Sequence, residues 1–407
     1  MYIILLEHHP HPYISRQLAF CFALLCSLLD RDMLKMYKVM ETDPSPQRRS
    51  VLNLVRDLLI LSRFHKYNPW LAVFSGGVSL PCIQYSSIDL GHLVWATLLA
   101  GANKIAANPT SISANHILKQ AMLCLLCGYI YCGAGMVWND WVDRNVDKNV
   151  ARTKNRPLAA GRVTATEGFI WMLVQFAVSW WLMDIMLEGH DVYEDLSQVS
   201  RMWITDPNSA AAMIPVTIAT ILYPYGKRQF FRRLYIYPQY FLGFTLAWPS
   251  AIGWMAIKGR EIPVTQSITK SLPLAITVFV WTLYLNTAYS YQDIVDDSKM
   301  DVNSVYVAAG SRIHLFLIVL AGLVLGSVYL QLRAQNSGWL WASWMCVWAL
   351  SFLHQLLRFD AKKPESGGPL HKENFALGLW TILACVVELG LSSGKAAQFF
   401  NSTFRLQ

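Results

Sequence analysis

Eight stretches of this chain are apolar for long enough to cross a bilayer. They run Ile117–Trp138, Thr166–Leu187, Ala210–Tyr225, Pro238–Ile257, Leu272–Tyr291, Ile313–Leu330, Gly338–Leu357 and Phe375–Leu391. About 20 apolar residues in helical conformation span the roughly 30 Å hydrocarbon layer. A ninth stretch is interrupted: Trp70–Leu80 and Leu93–Ala102 are each too short to cross, and the polar PCIQYSSIDLGH lies between them. Joining Trp70–Gly76 directly to Val94–Ala102 restores a continuous run of about 17 residues, enough to span. The pattern therefore predicts an all-α, polytopic membrane protein of about nine transmembrane helices. It marks Gly77–Leu93 as an insertion or an unspliced intron, with Glu194–Ala211 a weaker second candidate. The membrane domain is expected over 61–395, between an ill-defined N-terminal extension, 1–60, and a tail, 396–407.

Composition supports that reading. Of 407 residues, 54% are hydrophobic and only 15% charged, whereas a soluble domain carries about 25% charged residues. Disorder, coiled coil, collagen and a small disulfide scaffold are excluded. The net charge of +8 does not imply a nucleic-acid partner, because membrane proteins concentrate Lys and Arg in cytoplasmic loops. The loops after helices 2, 4, 6 and 8 carry more than twice as many Lys and Arg as those after helices 1, 3, 5 and 7. Arg48, Arg49, Arg56, Arg63 and Lys66 join them on the cytoplasmic side, and the acidic GHDVYEDLSQVSRMWITDPN falls in the lumen. An integral protein of the endoplasmic reticulum, in contact with membrane lipid, is expected. Leu18–Leu29 has the length of a signal-peptide core but no small-residue cleavage site follows, and Met33, Met36 and Met40 are alternative starts. Cys124 and Cys127 lie one helical turn apart without a second pair or a nearby His, so they read as packing residues. Gly322 and Gly326 read as close helix packing.

Candidate chemistry sits at the cytoplasmic ends of two helices. In VWNDWVDRNVDKNV, Asn139, Asp140, Asp143 and Asp147 fall at spacings that share one helical face. NTAYSYQDIVDDSKMD repeats the pattern with Asp293, Asp296, Asp297 and Asp301. Ionisable groups adjoining hydrocarbon are costly and point to function, and carboxylates this close need cations to stay ionised. Oxygen-only donors suit Mg²⁺, which commonly shares its coordination between carboxylates, water and phosphate oxygens. Arg152, Lys154 and Arg156 in ARTKNRPLAAG, with Lys227 and Arg228 in YPYGKR, supply positive charge on the same side. Two such clusters facing each other would hold two or three Mg²⁺ with a diphosphate between them.

Together these residues resemble the UbiA superfamily of intramembrane prenyltransferases. Its NDxxDxxxD motif is matched by Asn139, Asp140, Asp143 and Asp147, and its RTxNRPLxxG stretch from Arg152 to Gly161. Its YxxxK motif is matched by Tyr223 and Lys227, and its second aspartate motif by Asp293 and Asp297. The resemblance runs from about Leu61 to Leu391. RFHKYNP, CGAGMVWND, ARTKNRPLAAG and YIYPQYFLGFTLAWPSAIGW look most like fungal members that attach farnesyl or a similar chain to an aromatic polyketide acid on the way to meroterpenoids. Two departures stand out: Asn286 replaces an Asp, and Asp301 and Asn303 replace a Gly and a Lys. The resemblance implies one helix bundle around a central cavity.

The reaction it implies is ionisation of an allylic prenyl diphosphate and capture of the cation by an aromatic small-molecule acceptor. Asp143, Asp293 and Lys227 are the expected catalytic residues, and both aspartate clusters would bind Mg²⁺. Arg63, Lys66, Arg152, Lys154, Arg156, Tyr223, Lys227 and Arg228 would hold the diphosphate. An allylic cation needs aromatic faces and little water. Trp138, Trp141, Phe244, Trp248, Tyr284 and Tyr289 are the expected prenyl-facing rings, with Tyr129 and Tyr131 as further candidates. A terpene cyclase of the same superfamily would use the same clusters without an acceptor. A transporter is disfavoured, because transporters place such groups near the midplane.

Overall fold

A computed structural model of the chain describes residues 50–64, 86–148, 153–188, 207–259, 262–299, 302–335 and 338–393. The described residues are helical, with short connections. A short α1 (Val51–Leu61) precedes α2 (Ser86–Ala107), α3 (Ala114–Asp147), α4 (Ala165–Glu188) and α5 (Pro207–Leu222). The next segment is divided into α6 (Pro238–Ala247) and α7 (Pro249–Lys258), Pro249 occupying the first turn of the second piece. α8 (Val264–Ser290), α9 (Ile313–Gln335), α10 (Gly338–Arg358) and α11 (Gly367–Ser392) complete the fold.

Neighbours in sequence pack as neighbours in space, and the ring closes where α11 meets α2. α8 packs on α6, α7, α9 and α11. Burying polar backbone in hydrocarbon requires that each span satisfy its own hydrogen bonds, which helices do. Apolar side chains fill the inside and also coat the outside. Trp95, Trp281, Trp344 and Trp348 are fully buried together, whereas Leu315, Ile318, Val319 and Leu323 on α9 are about half exposed. In water that outer stripe would be a liability; against lipid it is the expected surface.

Among the described residues, seven segments are long and apolar enough to cross a membrane. The other two long helices, α2 and α10, pack within the same bundle but fall outside that set, so the expected number of about nine is not reached by this measure. The interrupted first span also differs from expectation. Ser86–Ala107 is one continuous 22-residue helix, so Leu93–Ala102 does not stand alone as a short fragment. Ser86, Ser87, Asp89 and His92 lower the hydropathy but tolerate helix, since no Pro interrupts them. The rest of the proposed insertion, and all of Trp70–Leu80, lie outside the described residues.

One close approach places the second aspartate motif. Gly367 opens α11 against the end of α8, where a Cβ would collide with the carbonyl oxygen of Ala288. Only glycine permits that contact, which brings the start of α11 directly onto the turn leading to Asp293.

Candidate active site

The 34 residues of α3 measure about 50 Å at 1.5 Å per residue, longer than the hydrocarbon layer. Its last turns, carrying Asn139 to Asp147, therefore reach the membrane boundary. There the apolar face continues inward through Trp138 and Trp141 while the acidic face meets three loops. Asp140, Asp143 and Asp147 are all buried, and ionised carboxylates survive burial only when paired.

The partners come from three parts of the chain. Asp140, 1% exposed, receives Arg63 Nη2 on one oxygen and Arg156 Nη1 on the other, both at 2.8 Å. The same Arg156 nitrogen lies 2.8 Å from Asp147 Oδ2. Lys227 Nζ donates to Asp143 Oδ2 at 2.8 Å and to Asn139 Oδ1 at 3.1 Å. Arg228 completes Asp143 at 3.1 Å. Three carboxylates thus meet four cations. Burial opposes the charge on Arg156, but Asp140 and Asp147 outweigh it and raise its pKa above the ordinary value.

Local structure explains how these cations arrive. Arg63 follows α1 with a φ of 65°, in the left-handed region typical of the residue after a helix. There its guanidinium caps the carbonyls of Ile60 and Leu61 while still reaching Asp140. Arg156 lies in a tight turn anchored by Thr153, whose hydroxyl donates to Asp147 O at 3.2 Å. Lys227 ends a single turn of 3₁₀ helix, Tyr225–Lys227, and its ammonium lies 5.3 Å from the centre of the Tyr223 ring. Such a cation over an aromatic face is favourable.

The second motif reaches the same end of the bundle. Asp293 closes the turn after α8, and Asp297 lies in a short helix, Ile294–Lys299. Asp297 accepts a hydrogen bond from the Tyr306 hydroxyl and, through its carbonyl, from Val302 N at 3.0 Å. Asn303 N then donates to Lys227 O at 3.3 Å, linking this loop to the one carrying the lysine. Lys66, Arg152, Asp301 and the side chain of Asp296 lie outside the described residues, and Lys154 is exposed.

Sequence reasoning expected carboxylates facing one another across metal ions. Among the described residues, which leave out Asp301 and the Asp296 side chain, no three acidic, His or Cys side chains converge on one point. The reason is electrostatic: the first-motif carboxylates are turned onto Arg and Lys. Their chemistry still fits Mg²⁺, since Asn139, Asp140, Asp143 and Asp147 are all hard oxygen donors with no competing thiolate or imidazole among them.

The expected prenyl-facing rings have defined surroundings. Trp138 and Trp141 stack at 5.7 Å, and their indoles donate to Ile221 O and Ala165 O. Phe244 and Trp248 stack at 5.5 Å, with Trp248 donating to Ala212 O. Tyr284 is fully buried against Phe352, and Tyr289 meets His371 edge-on. Tyr131 hydrogen-bonds Thr220, and Tyr129 stacks on Phe64 at 4.6 Å. Each ring has a packing role in the helix bundle.

Two contacts escaped the sequence. Arg162 Nε donates to Asp57 at 3.0 Å, fastening the Arg156 loop to α1 and so to Arg63. Tyr306 on Asp297 was the other. The first joins residues 105 apart, which become neighbours only after the helices assemble; the second joins residues nine apart within one connection, through a turn that carries no recognisable motif.

Known proteins similar to this chain share its family and fold. The model of the UbiA prenyltransferase family matches residues 93–382. The chain is 74% identical over 376 residues to the polyprenyl transferase spyF of Aspergillus fumigatus, covering 92% of this chain and 100% of that protein. It is 57% identical to the polyprenyl transferase esdpC of Penicillium shearii, covering 86% and 96%. The fold is similar to a UbiA homolog from Aeropyrum pernix, with a TM-score of 0.52 at 17% identity over 74% of this chain and 97% of the other. A digeranylgeranylglyceryl phosphate synthase gives the same TM-score at 15% identity over 82% and 98%. The chain belongs to the UbiA prenyltransferase family and is an integral membrane prenyltransferase.

Proposed function

We propose that this enzyme transfers a farnesyl group from its allylic diphosphate to an aromatic, polyketide-derived acceptor, in a Mg²⁺-dependent reaction of meroterpenoid biosynthesis. The observation that carries the proposal is the convergence of three buried carboxylates and four cations from separate loops at one end of an apolar bundle. The charged end suits a diphosphate, and the apolar interior suits its hydrocarbon tail. High identity to fungal polyprenyl transferases supports the donor class and a role in secondary metabolism.

Asn139, Asp140, Asp143, Asp147, Asp293, Asp296 and Asp297 would hold Mg²⁺. When bound, the metal supplies Lewis-acid polarisation of the leaving group. Lys227, Arg228, Arg156 and Arg63 stabilise the negative charge that develops on the diphosphate as the allylic C–O bond breaks, and Lys66, Arg152, Lys154 and Tyr223 complete that set. Because Lys227, Arg228, Arg156 and Arg63 rest on carboxylates beforehand, none of these four is left as an unpaired charge near hydrocarbon before substrate arrives. Trp138, Trp141, Phe244, Trp248, Tyr284 and Tyr289 are the proposed walls of the prenyl pocket, excluding water that would quench the cation. The aspartate face is proposed to lie on the cytoplasmic side of the endoplasmic reticulum, from the loop charge bias.

Microsomes carrying the protein, incubated with radiolabelled farnesyl diphosphate and a phenolic acid, should yield a labelled adduct that depends on both. A labelled hydrocarbon formed without acceptor would replace transfer by cyclisation.

A further inference from the structure

Lys227 reaches Asn139 and Asp143 from a short turn between two loops. Tyr225–Lys227 is a single 3₁₀ turn, and the next helix, Gln229–Arg233, has five residues, none of them buried. A flexible lysine on so short an element would sample many positions. A further restraint acts on the backbone of this turn.

The restraint comes from Asn303, 1% exposed. Its amide nitrogen, Nδ2, donates to Gly226 O and to Ile236 O, each at 2.8 Å. Its backbone N–H donates to Lys227 O at 3.3 Å. One residue therefore binds both ends of the loop 226–236, using both amide hydrogens. Asn303 is fixed in turn on the other side. Val302 N donates to Asp297 O, Ser304 Oγ caps the helix Val305–Ala309 by accepting from Val307 N, and Val305 N donates to the buried Gln239 side chain. Asn303 is thus a physical connection between the loop of Asp297 and the loop of Lys227.

We infer that Asn303 is a positioning residue that sets the distance between the lysine and the second aspartate motif, and so the width of the diphosphate clamp. The inference rests on the reading of this site as a diphosphate clamp. Asn303 touches no reacting atom; it acts through the Gly226 and Lys227 carbonyls. Its Oδ1 makes no hydrogen bond among the described residues, so the two donors of Nδ2 are what the side chain contributes there.

The test uses full-length protein in detergent with Mg²⁺, titrated with inorganic pyrophosphate by calorimetry, which needs no acceptor. Asn303→Ala should weaken pyrophosphate binding about tenfold, the size of one to two ordinary hydrogen bonds. Asn303→Asp, which keeps the shape but replaces both donors by acceptors facing the two carbonyls, should weaken binding at least as far as Ala. In the Lys227→Ala background, Asn303→Ala should add less than about threefold, because two residues acting as one unit are not additive. A full tenfold further loss there would mean that Asn303 acts independently of the lysine, and would overturn the inference. Unchanged binding in Asn303→Ala, with binding weakened in Lys227→Ala, would also overturn it while leaving the clamp intact. Unchanged binding in Lys227→Ala would instead remove the clamp reading itself, and the inference with it. If neither Asn303 variant accumulates as folded protein, the residue serves the fold and the positioning role is refuted.

Discussion

Arg156→Ala removes the guanidinium that bridges two carboxylates, and its effect can be worked from the contacts. Asp140 would keep Arg63 at 2.8 Å, but Asp147 would lose the ion pair at 2.8 Å that now neutralises it. Breaking a buried pair by deleting one partner costs about 3–5 kcal/mol, because an uncompensated charge is left behind. The Arg156 side chain is 23% exposed and Arg63 still serves Asp140, which places the loss near the lower bound, about 3 kcal/mol. On the proposed mechanism the same change removes a stabiliser of the leaving diphosphate, worth about 100-fold in kcat. The two effects separate in the double variant Arg156→Ala/Asp147→Asn, read beside Asp147→Asn alone because Asp147 is itself a proposed metal ligand. Neutralising the stranded carboxylate should recover most of the thermal stability in detergent and none of the turnover. The measurements are unfolding of the detergent-solubilised protein and initial rates with farnesyl diphosphate. If the double variant regained activity along with stability, Arg156 would be a structural counter-ion only. If the single variant were as stable as the parent, the burial argument itself would be wrong.

Asp143→Ala and Asp293→Ala should each abolish turnover while leaving the protein inserted in membranes, read by carbonate extraction and rate assays; normal turnover of either would sink the site assignment. Chelation with EDTA should stop the reaction and added Mg²⁺ should restore it, and activity that persists in excess chelator would refute the metal proposal. Gly367→Ala should destabilise the protein by about 1–3 kcal/mol through overpacking, since its Cβ would meet the Ala288 carbonyl, a backbone atom that cannot swing aside; unchanged thermal stability would contradict that contact. A glycosylation acceptor added after Gln407 should be modified and one beside Lys148 should not, and the reverse pattern would invert the proposed topology.

Much of this protein is legible in one dimension. Hydrocarbon imposes a length and an apolar content on every span, so Ile117–Trp138 and Ile313–Leu330 are visible without a structure. The first aspartate motif is equally local, because the 3.6-residue period alone puts Asn139, Asp140, Asp143 and Asp147 on one face. Hydropathy alone starts this helix at Leu93, whereas α2 begins at Ser86, among polar residues that precede the apolar run. Assembly decided the rest. The pairing of Asp140 with Arg63 spans 77 residues of sequence, and that of Arg162 with Asp57 spans 105. No period or motif encodes such separations; they follow from which helices pack side by side. The carboxylates are turned onto cations for the same reason, since their burial, a property of the assembled bundle, demands immediate neutralisation. Residue type and spacing therefore chose which groups are available for chemistry. Packing chose which of them meet, because a buried charge is stable only beside the partner that the fold delivers.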